Sequence, residues 1–222
     1  MSAKIRLEGL YDKRTIDLAY ELGGVDLSFD FRPRSLNFIQ QYLFLDILDS
    51  KKESISHFTL RYEDEPDFMV KDTLDKLSST YYGPFHLEFS GNQTRDYYDS
   101  FEKPFIWHYR EDAQDLSVYQ SEFLKGIVLP FSLLREKHEK GQFANFVHNF
   151  YRLAHQCLLK NEGKLIVSLN WGDNIFPSLF EYFDIDQISL PVDTNVETCF
   201  RNVDKSKLQV AISGLGPFTK SF

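Results

Sequence analysis

Glu8, Glu88, Arg110, Asn170, Trp171 and Asp173 stand at or just past the C-terminal ends of short β-rich runs, where an open strand end can present a side chain to a ligand. Glu8 closes the run Arg6-Leu7-Glu8-Gly9-Leu10. A carboxylate there can act as a general base, and burial would raise its pKa toward a useful range. Equally, it can pair with Arg6, Arg32 or Arg110 in a polar strand-end cluster. Glu88 and Arg110 can line a pocket or pair across it; the ion pair is the expectation. Trp171 can stack on a ligand ring or simply cap the strand ends. Asp173-Asn174 reads as a cap or turn into the next helix. His148 and His155 lie seven residues apart on roughly one helix face, too few donors for a metal site, so no metal and no cofactor are expected.

The elements that must position these groups alternate along the whole chain. Strands are predicted near Lys4–Leu7, Val25–Phe31, His57–Tyr62, Phe85–Phe89, Phe105–Tyr109, Gly126–Leu129, Leu165–Leu169 and Gln187–Val192. Helices are predicted near Lys13–Leu22, Leu36–Asp49, Pro66–Leu77, Thr94–Phe101, Asp115–Gln120, Gln142–Leu159 and Pro177–Phe183, with a short final helix near Lys205. In the first helix Ile16, Leu18, Ala19 and Leu22 share an apolar side, and Gly23-Gly24 stops it. Eight strands alternating with helices is the pattern of a parallel sheet closed into a (βα)8 TIM barrel, here a single domain over residues 1–212. The tail from 213 to 222, SGLGPFTKSF, reads as irregular, and Arg135 to Lys140 (REKHEK) as a solvated turn.

The chain has 222 residues, 42% hydrophobic, enough for one sizeable core. With 25 basic and 33 acidic residues its formal charge is −8, which argues against nucleic acid or an anionic membrane as partner. No run is long and apolar enough for a signal peptide or a membrane span. Cys157 and Cys199 do not make a disulfide framework, and a reducing cytoplasm is the expected location. The 21 Phe and 12 Tyr are read as filling the barrel and the layer beneath its helices. Exposed aromatic surface leaves room for a homodimer, which no sequence feature fixes.

The stretch Ile5 to Phe38 resembles the opening of phosphoribosylanthranilate isomerase, a (βα)8 enzyme of tryptophan biosynthesis. Arg6-Leu7-Glu8-Gly9-Leu10 falls on the family's Lys-(Ile/Leu)-Cys-Gly-(Ile/Leu), and Tyr20 to Val25 on its Ala-Glu-Leu-Gly-Ala-Asp. Ser28-Phe29-Asp30-Phe31-Arg32-Pro33-Arg34-Ser35-Leu36-Asn37 falls on Gly-Phe-x-Phe-x-Pro-Lys-Ser-Pro-Arg. Near the end, Asp193-Thr194-Asn195-Val196-Glu197 falls on Ser-Ser-Gly-Val-Glu, and Val203-Asp204 on Val-Lys-Asp. The middle of the chain matches only in its βα rhythm.

The resemblance implies an Amadori rearrangement, in which a general base and a general acid face each other across the strand ends. The residues that would do this have changed. The family's basic cysteine is replaced by Glu8, and Pro130 falls where the acidic aspartate would be. The glycine loops that hold phosphate are missing: Leu169-Asn170 replaces Gly-Gly after strand seven, and Gly141-Gln142 is the nearest remnant of the loop after strand six. Asp193 adds a charge that repels phosphate after strand eight. The arginine credited with holding the anthranilate carboxylate aligns with Asn37, with Arg32 and Arg34 nearby as replacements. The expectation is therefore a barrel that has lost the isomerisation and acts as a small-molecule binder or regulatory protein. Its ligand contacts would be Arg32, Arg34, Glu88, Arg110, Asn170, Trp171, Asp193 and Thr194 around Glu8. The alternatives are a working isomerase using Glu8 as base, or an enzyme with a new, unphosphorylated substrate.

Overall fold

A computed structural model describes residues 3–22, 26–51, 54–216 and 218. Eight parallel strands close on themselves in sequence order, the first pairing with both the second and the eighth. They are β1 (Lys4–Glu8), β2 (Asp26–Asp30), β3 (Phe58–Tyr62), β4 (Phe85–Phe89), β5 (Phe105–His108), β6 (Leu124–Pro130), β7 (Lys164–Ser168) and β8 (Gln187–Pro191). The expected (βα)8 barrel is thus the fold. The helices are α1 (Lys13–Glu21), α2 (Gln41–Lys51), α3 (Asp67–Ser78), α4 (Arg95–Asp99), α5 (Phe131–Glu139), α6 (Phe143–His155), α7 (Leu179–Tyr182) and α8 (Lys205–Ser213). A small antiparallel hairpin, β9 (Glu197–Cys199) and β10 (Asn202–Val203), follows β8.

Period-two alternation sorts every strand into two faces. Ile5 and Leu7, Leu27 and Phe29, Phe58 and Leu60, Leu87 and Phe89, and Phe105 and Trp107 all belong to the main buried cluster, with Ile16, Phe44, Val70 and Phe150 of the helices. Rings meet edge-on through this layer, as in Phe29–Phe44 at 4.9 Å between centroids and Phe44–Phe58 at 5.4 Å. The alternate positions form the barrel interior, and there the strands divide. From β5 to β7 the interior below the mouth is apolar, a separate cluster of Ile106, Val128 and Ile166, with His108 at the end of β5 the polar exception. From β8 round to β4 it is polar, with Arg6, Glu8, Ser28, Asp30, Thr59, Glu88 and Ser189 all buried.

Some boundaries differ from expectation for identifiable reasons. The run REKHEK is not a turn: most of it lies in α5, and Lys140 caps that helix. Its charges sit at helical spacing, and Glu136 and Lys140 pair at 2.6 Å. The helix expected from Leu36 starts at Gln41, because Ile39 N–H donates to Asp30 C=O and Phe38 bridges to Asp30, holding this segment extended. The helix expected to run to Leu159 ends its α-helical part at His155 and continues as a π-helical turn over Gln156–Lys160. Gly23-Gly24, with Val25, lies outside the described residues. In the expected irregular tail, Ser213 is the last residue of α8, and Phe218 stacks on Phe180 at 5.1 Å. No helix among the described residues is long and apolar enough to cross a membrane.

Candidate functional site

The polar half of the barrel interior comes together at the C-terminal mouth as one charged network. Glu8 ends β1, and its carboxylate accepts from Arg61 Nη1 of β3 at 2.5 Å and from the Ser189 hydroxyl of β8. Arg6, one interior position deeper, donates to Glu88 of β4 and lies 3.5 Å from Glu8. Arg61 Nε sits 3.7 Å from Glu88, and His108 Nε2 of β5 meets the same carboxylate at 2.6 Å. Two carboxylates are thus matched by two guanidiniums, with an imidazole at one end. Burial pushes Glu8 up, but Arg61 and Arg6 together outweigh it and leave the carboxyl below its ordinary value. The basicity expected from burial is therefore reversed by partners. Glu88, wholly buried, is likewise driven well below the carboxylate range, because Arg6 and His108 more than offset its desolvation. Burial and then Arg61 push His108 down, against the pull of Glu88.

Above this network lies a cavity of about 300 Å³. Glu8, Asp30, Arg32, Arg61, Asp193 and Thr194 line it, and Leu36 and Phe200, 79% and 69% exposed, stand at its rim. Arg32 is engaged by Asp30 through both ends of its guanidinium, at 2.9 and 2.6 Å. Arg34 is exposed and lines a neighbouring depression with Pro33, Glu63 and Glu65, which adjoins the mouth cavity at Arg32. Arg110 does not pair with Glu88 as expected. It lies two residues beyond His108 and clasps Asp112 at 3.0 Å, a partner so near in sequence that it wins over one across the barrel.

The loops after β6, β7 and β8 explain what the mouth can hold. After β6 there is no loop. Pro130 is the last residue of the strand, on the interior parity of Gly126 and Val128, and α5 begins at Phe131. After β7, Asn170 N–H donates to the Asp173 carboxylate at 2.8 Å, closing a tight turn with Gly172 at φ +80°. Trp171 folds back so that its indole N–H donates to Pro191 C=O at 2.6 Å, which makes it a strand-end cap. After β8, Asp193 accepts from Asn195 N–H at 2.8 Å. The chain's own carboxylates therefore occupy amides in both loops. Glu197 accepts from the Tyr11 hydroxyl at 2.8 Å.

One contact fixes the mouth's shape. Gly9 has φ +78°, and a Cβ there would fall 2.5 Å from Nδ2 of Asn37, which donates to Val192 C=O. Asn37 thus packs against Gly9 after β1 and bonds to the end of β8 while lining the cavity. Gly9→Ala is expected to destabilise the fold by about 1–3 kcal/mol through backbone strain, more if Asn37 is displaced, read as a lower urea midpoint.

Sequence reading brought Glu8 and Glu88 to this place but missed Arg61 and His108, and named Arg6 only as a partner for Glu8. The available signal was parity: in Phe58-Thr59-Leu60-Arg61-Tyr62 and Ile106-Trp107-His108 the polar residue shares the face of the interior set. Among the described residues no group of three or more His, Cys, Asp or Glu side chains could hold a metal ion.

No protein-family model matches this chain, and no curated protein does. Solved structures do match. Phosphoribosylanthranilate isomerase from Thermus thermophilus superposes with a TM-score of 0.62 at 12% identity, covering 96% of this chain and 98% of its own. TrpF from Jonesia denitrificans gives 0.60 at 17% identity over 97% and 98%. The citrate synthase SbnG gives 0.59 at 10% identity over 97% and 92%. At these identities the likeness is one of fold, and the fold is the barrel of the phosphoribosylanthranilate isomerases, the one its opening residues resemble.

Proposed function

We propose that this chain no longer performs the Amadori rearrangement and that its barrel mouth binds an unphosphorylated small molecule. The observation that carries this reading is the occupation of backbone amides after β7 and β8 by Asp173 and Asp193. A phosphate placed there would compete with two carboxylates already bonded, and their charge would repel it. Two further features support the loss. Glu8 is held ionised by Arg61 and Arg6, so it is a weak base, and Pro130 has no proton to give. Toward the ancestral reaction the protein is a pseudoenzyme, and its role is that of a binding or regulatory barrel.

The cavity over Glu8 supplies the chemistry for the ligand. Asp193 and Thr194 offer hydrogen bonds to hydroxyl groups, Arg61 offers a cation, and Leu36 and Phe200 offer apolar contact at the rim. Calorimetric titration with inorganic phosphate tests the central feature. No saturable binding at millimolar concentration is expected. Saturable binding that weakens when the loops after β7 and β8 are altered would contradict the reading.

A further inference from the structure

Opposite charges line the mouth cavity without meeting. On one side stands Arg61, at the end of β3, whose guanidinium reaches over to β1 and donates through Nη1 to Glu8 at 2.5 Å. Its Nη2 makes no hydrogen bond among the described residues. The side chain is 15% exposed, and Thr59, the interior residue below it, is buried, so the exposed part opens upward into the cavity it lines. Arg32, also on the cavity wall, gives Nε and Nη2 to Asp30 and keeps Nη1 unbonded. On the other side stands Asp193, just past β8, the strand that pairs with β1. Its Oδ1 accepts from the Asn195 N–H at 2.8 Å and from Asn195 Nδ2 at 3.0 Å, while Oδ2 accepts from nothing among the described residues. No ion pair joins Asp193 to a cation among those residues, although both guanidiniums share its cavity; they pair instead with Asp30 and Glu8.

A bare anion placed here would gain the free guanidinium N–H groups but meet the Asp193 carboxylate. A bare cation would gain that carboxylate but meet the guanidiniums. A molecule carrying both charges on neighbouring atoms satisfies the two sides at once, by charge-assisted hydrogen bonds at each end. Such a molecule must be small, since a cavity of about 300 Å³ is at the lower end for ligand pockets. Its remaining part meets Leu36 and Phe200, which stand exposed at the rim.

We propose that the mouth binds a free α-amino acid with an apolar side chain. Its carboxylate lies on Arg61 and Arg32, its ammonium on Asp193 Oδ2 beside the Thr194 hydroxyl, and its side chain against Leu36 and Phe200. The inference rests on the reading of the mouth as a site for an unphosphorylated small molecule, and names the ligand's class.

Calorimetric titration with L-phenylalanine, 3-phenylpropanoate, phenethylamine and inorganic phosphate tests it. 3-Phenylpropanoate lacks the ammonium and phenethylamine the carboxylate. Saturable binding of phenylalanine, at least about tenfold tighter than either truncated compound, is expected, with none of phosphate. Asp193→Asn is the test variant, because its side-chain oxygen can still accept from Asn195 while the charge is lost; its urea midpoint is compared with wild type. It is expected to weaken phenylalanine at least about tenfold and to leave 3-phenylpropanoate unchanged or tighter, which a merely distorted loop would not do. Either truncated compound binding as tightly as phenylalanine, or phenylalanine unchanged in Asp193→Asn, would overturn the amino-acid assignment and leave the small-molecule reading standing. So would equal weakening of phenylalanine and 3-phenylpropanoate in the variant, or no binding of any of the three organic probes. Saturable phosphate binding that displaces phenylalanine would overturn both.

Discussion

Replacing Arg6 with alanine is expected to cost about 3–5 kcal/mol of folding stability, the largest effect of any single change in the barrel interior. Arg6 and Glu88 are 1% and 0% exposed, and Glu8 lies 3.5 Å from the same guanidinium. Without Arg6, Glu88 keeps only His108 and a more distant Arg61, and two carboxylates face each other in an interior that water hardly reaches. The penalty is that of an uncompensated buried charge, not of one lost hydrogen bond. Arg6 also illustrates why such pairs are weak evidence of net stability, because its Nε and Nη1 have no hydrogen-bond partner among the described residues. The combined change Arg6→Met with Glu88→Leu is therefore expected to be milder than Arg6→Ala alone, a strong non-additivity. Urea unfolding of wild type and the variants measures it. A loss below about 1 kcal/mol for Arg6→Ala would mean that water reaches the network and solvates it.

Acid should loosen the opposite end of the barrel first. His57 Nε2 and His86 Nδ1 are 2.6 Å apart, with Lys164, Lys125 and Arg6 contributing positive charge nearby and Asp26 opposing it. Burial, then His57 and these cations, pushes His86 down to about 3 from 6.5, and His57 is also lowered. The unfolded chain therefore binds protons that the folded chain refuses, so the stability these histidines contribute is complete above about pH 6.5 and falls as the pH drops toward about 3. Integrated over that window, His86 alone accounts for a loss of about 3 kcal/mol by pH 4. Glu8 and Glu88, whose carboxyls are lowered, add a further loss, but only once the pH falls into the carboxylate range. The two contributions separate between pH 6.5 and pH 5, where His57, His86 and the likewise lowered His108 act almost alone. His86→Gln should flatten the dependence of the urea midpoint in that interval. An equally steep slope in His86→Gln would place the sensitive group elsewhere.

The fold was legible because its signal is repeated. Eight strands with apolar alternate residues, each followed by an amphipathic segment, leave few other architectures, and each predicted strand falls within a few residues of an observed one. The candidate site was legible only in part. Glu8 could be placed because it ends a strand beside Gly9. Its state could not, because that depends on Arg61, whose sequence position is 53 residues away but whose guanidinium is 2.5 Å away. Arg110 was misjudged because a local partner, Asp112, competes at a distance that sequence spacing alone does not rank against a partner across the barrel. The helix α5 was missed because a charged run was read for its charge and not for the four-residue spacing of Glu136 and Lys140. Asn170 and Asp193 were read as changed loop residues. That carboxylates of Asp173 and Asp193 would take up the loops' own amides emerged only from three-dimensional closure.

Complementation of a tryptophan auxotroph lacking phosphoribosylanthranilate isomerase tests the central claim most directly. Wild type and Glu8→Ala are expressed side by side and shown to be soluble and folded. Neither is expected to support growth without tryptophan on the proposed reading, in which Asp173 and Asp193 occupy the amides after β7 and β8 and Arg61 and Arg6 hold Glu8 ionised. Growth with wild type but not with Glu8→Ala would contradict the account and make this a working isomerase with a carboxylate in place of the family's base.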